Sequence, residues 1–208
     1  MSAKPGHVAL AVTGASGIPY AFRLLECLLA SHVRVSLLFS KAAHAVAALE
    51  TDEPLPAHPR DLAEHLRERY DAPAGLLRAY GREDWTAPLA SGSSVPEAMV
   101  VCPCTTGTLA AIACGLSDNL IERAADVVIK ERRPLILVPR ETPYSAIHLE
   151  HMLKLARLGV TILPPNPGFY HRPRRVEDLV DFVVARILDH LAVPHTLLPR
   201  WGENEDED

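Results

Sequence analysis

Short, nearly continuous apolar runs alternate with helix-spaced segments along this chain, and that alternation limits the fold more than any other feature. His7 to Thr13 (HVALAVT), Val33 to Phe39 (VRVSLLF), Ala98 to Cys102 (AMVVC), Leu135 to Val138 and Val160 to Leu163 have strand length. Strands that read this way are buried on both faces, which is the situation of parallel strands covered by helices on both sides. Between them lie helical segments. Ile18 to Leu29 repeats Ile18, Phe22, Leu25 and Leu29 at helical spacing. Lys41 to Glu50, Arg60 to Tyr70, Thr108 to Ala113, Asn119 to Glu131, Ser145 to Leu158 and Val176 to Leu191 follow, with Ser145 placed to cap its helix. Residues 52–96, rich in Pro, Asp and Arg, leave room for loops and an edge strand beyond their helix. Pro103 and Pro139 are expected to stop the strands they follow. The pattern predicts an α/β fold: one Rossmann-like, doubly wound parallel sheet in a single domain over residues 1–200.

Composition removes several classes. The chain has 208 residues, enough for one domain with a large core. Its apolar fraction is 48%, yet no run is long enough to span a membrane, and no signal-peptide pattern opens the sequence. A cytoplasmic protein is expected. The formal charge is −5, and the acids Glu203, Glu205, Asp206, Glu207 and Asp208 account for all of it. Residues 201–208 read as a solvated acidic tail, and the near-neutral body gives no sign of nucleic-acid binding. Cys102-Pro103-Cys104 is too tight for zinc spacing, and Cys27 and Cys114 supply no second pair, so the four cysteines read as packing residues. His148 and His151 sit in His-Leu-Glu-His, not the metalloprotease order. No metal site is expected.

In doubly wound sheets, ligands bind beyond the carboxyl ends of the strands. Gly14-Ala15-Ser16-Gly17 joins the first strand to the first helix. Its glycines allow a turn and a close ligand approach, although a tight turn of any such fold explains them equally well. The dinucleotide fingerprint is absent, because Ser16 and Pro19 occupy two of its glycine positions. Pro103-Cys104-Thr105-Thr106-Gly107-Thr108 puts three hydroxyls and free backbone N–H groups at a helix start. Capping needs one hydroxyl, so the surplus points to a phosphate or the edge of a flavin ring. Leu137-Val138-Pro139-Arg140-Glu141-Thr142-Pro143 holds an Arg-Glu pair between prolines. Arg140 offers a planar fork for phosphate, and Glu141 can move a proton. A surface ion pair is the plain alternative. Pro164 to Tyr170 is a stiff loop tipped by Phe169 and Tyr170, followed by Arg172, Arg174 and Arg175, which read as a solvated turn. Arg186, alone on the last helix, carries little weight by itself.

The segments TGASGIPYA, Ser40-Lys41, ASGS at Ala90 to Ser93, the long run from Val100 to Tyr170 and DLVDF at Asp178 to Phe182 resemble the UbiX family of flavin prenyltransferases over about nine-tenths of the chain. LVPRETP with PNPGFY, and GLSDNLIERAADVVIKERRPL, are the specific parts. The resemblance implies a Rossmann-like flavoprotein that assembles as a homododecamer. It implies transfer of a dimethylallyl group from dimethylallyl monophosphate to N5 and C6 of reduced FMN, without metal. The product, prenylated FMN, would go to a UbiD-type decarboxylase, as in ubiquinone synthesis. It places flavin contacts on Gly14, Ala15, Ser16, Ser40, Thr105, Thr106, Gly107, Thr108 and Arg140. Prenyl phosphate contacts fall on Arg123, Lys130, Arg140, Glu141, Tyr170 and Arg186. Catalytic roles fall on Ser16, Glu50, Glu141 and Tyr170, with Glu50 working beside Ser16. One departure stands out: many relatives carry a lysine where this chain has Thr105-Thr106-Gly107-Thr108, which removes one charged flavin contact.

No Asp-rich motif for a metal-bridged diphosphate occurs, in keeping with a monophosphate donor held by cations. Tyr170, Trp85 and Trp201 are candidate aromatic faces for a developing carbocation, Trp85 being equally suited to packing. Arg123 and Lys130 lie seven residues apart on one helical face and could serve a neighbouring subunit. Two other functions fit the same fold. A cysteine-oxidising, FMN-dependent decarboxylase would show Pro-Ala-Ser-Ala-Asn-Thr at the second loop and a catalytic histidine, and the nearest histidine here, His44, reads as capping or packing. A flavin carrier would need the FMN contacts but not Lys130, Glu141, Tyr170 and Arg186.

Overall fold

The architecture comes from a computed structural model that describes residues 3–52 and 54–199. The acidic tail and Trp201 lie outside the described residues. The elements run β1 His7–Val12, α1 Ile18–Ala30, β2 Arg34–Phe39, α2 Lys41–Glu50, α3 Pro59–Arg69, β3 Leu77–Tyr80, β4 Ala98–Cys104, α4 Thr106–Cys114, α5 Leu120–Lys130, β5 Leu135–Pro139, α6 Ala146–Arg157, β6 Thr161–Ile162 and α7 Val176–His190. Two single 3₁₀ turns, Pro88–Ala90 and Gly92–Ser94, precede β4. The six strands form one parallel sheet in the order β3-β2-β1-β4-β5-β6. The expected doubly wound sheet is therefore present, with β3 as the edge strand. Among the described residues no helix is long and apolar enough to cross a membrane.

Period-two alternation divides the core into two layers. Val8, Leu10 and Val12 of β1 point to the layer that holds α1, α3 and α7, where Leu24, Leu25, Leu62 and Val184 pack. Ala9 and Ala11 point the other way, to α4, α5 and α6 through Leu109, Ala124, Val128 and Leu155. Each of these leucines and valines is almost wholly buried and contributes about 1.5–3 kcal/mol relative to exposure. The strand order reverses between β1 and β4, which opens a crevice at their carboxyl ends.

Helix starts follow from local sequence. Ser40 caps α2 by accepting from Ala43 N–H, and Thr105 caps α4 by accepting from Thr108 N–H. Asn119 accepts from Ile121 and Glu122 N–H, and Ser145 forms a capping box with His148. Each such cap stabilises its helix by ~1 kcal/mol. Two boundaries differ from the sequence expectation by more than one residue. β4 does not stop at Pro103: the chain passes a cis Cys102–Pro103 bond, and pairing resumes at Cys104 with Pro139 after a register shift. Proline lacks an N–H, so the ladder skips it and then continues. α4 begins at Thr106, two residues earlier than expected, because Thr105 is its cap.

One polar pair lies inside the sheet. His7, 9% exposed, places its Nε2 2.8 Å from the hydroxyl of Ser36 on the neighbouring strand. Burial, helped by Arg34, lowers the pKa of His7, so the native protein holds it neutral. The unfolded chain binds that proton near pH ~6.5, so this contribution is complete above that value and is lost as pH falls below it. Thermal melts across this range should show a smaller acid-induced drop in Tm for His7→Gln than for the parent chain.

Candidate functional site

A cavity of about 550 Å³ opens at the carboxyl ends of β1, β2, β3 and β4. Ligand sites span roughly 300–1,000 Å³. Its wall includes Thr13, Gly14, Ser40, Lys41, Thr105 and Thr108. Gly14 allows the wall to form: a Cβ there would lie 2.4 Å from the Cβ of Ala42, so only glycine lets this turn sit on α2. Gly17 adopts φ +124°, a conformation other residues rarely take, to turn the chain into α1. Thr105 N–H is taken by Thr13 and Thr108 N–H by Thr105, while Thr106 and Gly107 stand at the exposed start of α4. The starts of α2 and α4 thus both meet the cavity, and helix N-termini attract anions.

The sequence missed the residue that locks this cavity. Thr13 is 2% exposed. Its hydroxyl donates to Pro103 C=O at 2.8 Å and accepts from Thr105 N–H at 2.8 Å. The Thr13 N–H also donates to Pro103 C=O. One side chain thus fixes the end of β1 to the β4–α4 loop across the strand-order reversal. A threonine ending an apolar run next to glycine was the available signal, and it was read only as strand. Lys41 and Arg82 also face the cavity, bringing cationic charge to its wall.

Glu50 takes a part that sequence alone did not assign. Its carboxylate accepts from Gly17 N–H at 2.9 Å and from Ile18 N–H at 2.8 Å. The anion at the start of α1 is therefore the protein's own carboxylate, one residue beyond the exposed Ser16. Tyr20 nearby has a raised pKa, from burial first and from the adjacent Cys102 and Glu50 second.

The other expected residues are not gathered at this cavity within one chain. Arg140 is exposed at the end of β5, and its N–H donates to Cys104 C=O. Glu141 accepts from Thr142 N–H. On α5, Arg123 donates to Ala90 C=O at 3.1 Å and to Asp126 at 2.8 Å, while Lys130 pairs with Glu131. Gly92 passes so close to that pair that a Cβ would meet both Glu131 and Lys130. Arg186 pairs with Asp189 on α7, in the opposite helical layer. Tyr170 is 74% exposed beside a separate cleft formed with Gly168, Arg172 and Phe182. Trp85 is half-exposed and is not on the wall of the 550 Å³ cavity.

The cysteines offer no nucleophile in the sheet. Burial pushes the Cys104 thiol up to about 12 and the Cys27 thiol up to about 11, and raises Cys102 as well. His44 packs on Phe39, with ring centroids 4.7 Å apart, and burial lowers its pKa. Among the described residues no histidine lines the cavity.

A family model described as Flavoprotein matches residues 2–188. The flavin prenyltransferase UbiX of Pseudomonas aeruginosa is 61% identical over 199 residues, covering 96% of this chain and 95% of its own. Among solved structures, AnUbiX in complex with FMN and dimethylallyl pyrophosphate matches with TM-score 0.84 and 39% identity, over 95% of this chain and 98% of its own. A dodecameric FMN-dependent UbiX-like decarboxylase from Escherichia coli O157:H7 matches with TM-score 0.83 and 40% identity, over 94% and 98%.

Replacing Thr13 by Val keeps the shape and removes both hydroxyl bonds, leaving the part-buried Thr105 N–H without its partner at a cost of about 1 kcal/mol. Thr13→Val should therefore lower both Tm and FMN affinity, measured by flavin fluorescence quenching. Thr13→Ser should retain most of each.

Proposed function

The chain belongs to the UbiX family of flavin prenyltransferases, within the flavoproteins, and from that premise we propose how its own residues carry out the reaction and where its product goes. The protein is a prenyltransferase that joins a dimethylallyl group to FMN. The observation that carries the residue assignment is the cavity at the strand-order reversal, walled by Gly14, Ser40, Thr105 and Thr108 between two capped helix starts.

FMN suits that wall. The turn at Gly14 lies against α2 with no room for a Cβ, which draws the turn and the start of α2 together on one wall of the cavity. The helix starts at Ser40 and Thr105 favour the phosphate, and Lys41 and Arg82 favour negative charge. Gly14, Ala15, Ser16, Ser40, Thr105, Thr106, Gly107, Thr108 and Arg140 are the residues that would hold it. Reduced FMN supplies the nucleophilic N5 and C6 positions.

The side chains do the rest. Arg123, Lys130, Arg140 and Arg186 grip the phosphate of the dimethylallyl donor and stabilise it as it leaves, a role cations fill without a metal. We assign the donor as the monophosphate, because the cations are single side chains rather than the paired Asp clusters of diphosphate enzymes. Glu141 and Tyr170 hold and move a proton at the departing phosphate, and Ser16 with Glu50 does so beside the flavin. Glu50 is already held by Gly17 and Ile18 N–H, which fixes its carboxylate next to Ser16.

Because Arg123 and Lys130 belong to one helical layer and Arg186 to the other, the donor site is completed between subunits of a homo-oligomer, which we take to be a dodecamer. The product, prenylated FMN, is released to a UbiD-type decarboxylase acting on aromatic acids, as in ubiquinone synthesis. The cytoplasm, a reducing compartment, suits the four free thiols. A cysteine-oxidising decarboxylase is disfavoured by a cavity wall without histidine.

Anaerobic incubation with reduced FMN and dimethylallyl monophosphate should yield a flavin heavier by one five-carbon unit in mass spectrometry. Glu141→Gln should lower turnover by about 10²–10⁴-fold, the usual range for proton-transfer catalysis, while FMN affinity is unchanged. An unmodified flavin, with FMN bound and donor in excess, would identify the protein as a carrier.

A further inference from the structure

Helix α6 buries only Met152 and Leu155 deeply. Its outer side is unusual for a surface helix. Ile147 is 63% exposed, Leu149 and Leu153 52% each, and Leu158, at the C-cap, 59%. Scattered exposed leucines are ordinary, but several on one helix mark a surface that is covered in the working protein. Between these apolar positions run Glu150, Lys154 and Arg157, all exposed. Glu150 and Lys154 stand one helical turn apart, the spacing at which such pairs commonly form. Yet neither they nor Arg157 make an ion pair among the described residues.

We propose that the outer side of α6 is the two-fold contact between copies of this chain, with the two helices antiparallel and Glu150 of each facing Lys154 and Arg157 of the other. The stripe is complementary to itself only in that arrangement, since the acid lies nearer the N-terminus and the bases nearer the C-terminus. Parallel helices would set like charge against like. Leu149 and Leu153 on one flank, and Ile147 and Leu158 on the other, close the seam on both sides of the charges. The exposed Ala146 and Ala156 leave room for the helices to approach. A dodecameric structure similar to this chain points the same way, because closed assemblies of that size are normally built on two-fold axes, and each axis needs one self-complementary face.

This inference rests on the homo-oligomer reading above and is tested separately from it. Native mass spectrometry and sedimentation velocity would be run on the full chain with FMN bound, with melting curves as a check on folding. Glu150→Lys, and independently Lys154→Glu, should reduce the particle mass by about two-fold or more, as loss of a two-fold contact requires, without lowering the Tm of the subunit fold. The triple variant Glu150→Lys/Lys154→Glu/Arg157→Glu, which reverses the whole stripe, should restore the parent mass. Leu153→Ser gives a second route to the same loss. Folded variants that keep the parent mass, or a charge-reversed triple variant that stays dissociated, would overturn this contact and leave the homo-oligomer standing. A parent chain that sediments as a monomer would overturn both.

Discussion

The hydroxyl of Thr13 is the joint on which the site depends. It donates to the carbonyl of Pro103 and accepts from the amide of Thr105, at the point where the strand order changes direction. Parallel strands β1 and β4 pair from Val8 with Ala98 to Ala11 with Val101. Beyond that the ladder meets Pro103, which cannot donate. The threonine takes over where the backbone ladder ends and keeps the two loops in register for one further step. Both walls of the cavity, the Gly14 turn and the Thr105–Thr108 helix start, are held by it. Glu50 does the equivalent work for α1: that helix has no side-chain cap of its own at Gly17, and the end of α2 supplies one.

The layers then divide the labour. The elements assigned to the flavin converge at the carboxyl edge of the sheet, because every parallel strand delivers its following loop there. The cations assigned to the donor do not converge. Arg123 and Lys130 are carried by α5 on one face, Arg186 by α7 on the other, and each is satisfied locally by Asp126, Glu131 and Asp189. A sheet with helices on both faces cannot bring those side chains together within one copy. A second copy could, and a contact between copies would also account for the apolar surface exposed on α6.

Much of this was legible in the sequence, for identifiable reasons. Buried parallel strands leave uninterrupted apolar runs, so the sheet and nearly every helix could be read from periodicity. Ser145 could be read as a cap because capping needs a hydroxyl at one defined place; that Ser40 and Thr105 cap α2 and α4 came from the structure. The extension of β4 through Pro103 was not legible, since proline ordinarily ends a strand and the continued pairing depends on β5 lying alongside. Nor was Thr13 as a joint, whose two partners are about ninety residues away, or Glu50 as the cap of α1. The resemblance assigned the donor to Arg123, Lys130 and Arg186, but residue spacing could not say that they lie in different layers. Long-range geometry is what a linear pattern leaves out.

The central claim is that a flavin sits at the strand-order reversal and that other copies of the chain bring cations to it. A crystal structure of the assembled protein with FMN and dimethylallyl monophosphate tests both parts at once. The account predicts flavin density against the Gly14 turn, Ser40 and Thr105–Thr108, with Arg123, Lys130 and Arg186 from more than one copy around the donor phosphate. Flavin bound away from the β1–β4 crevice, or a donor phosphate reached by none of those three side chains in any copy, would contradict it.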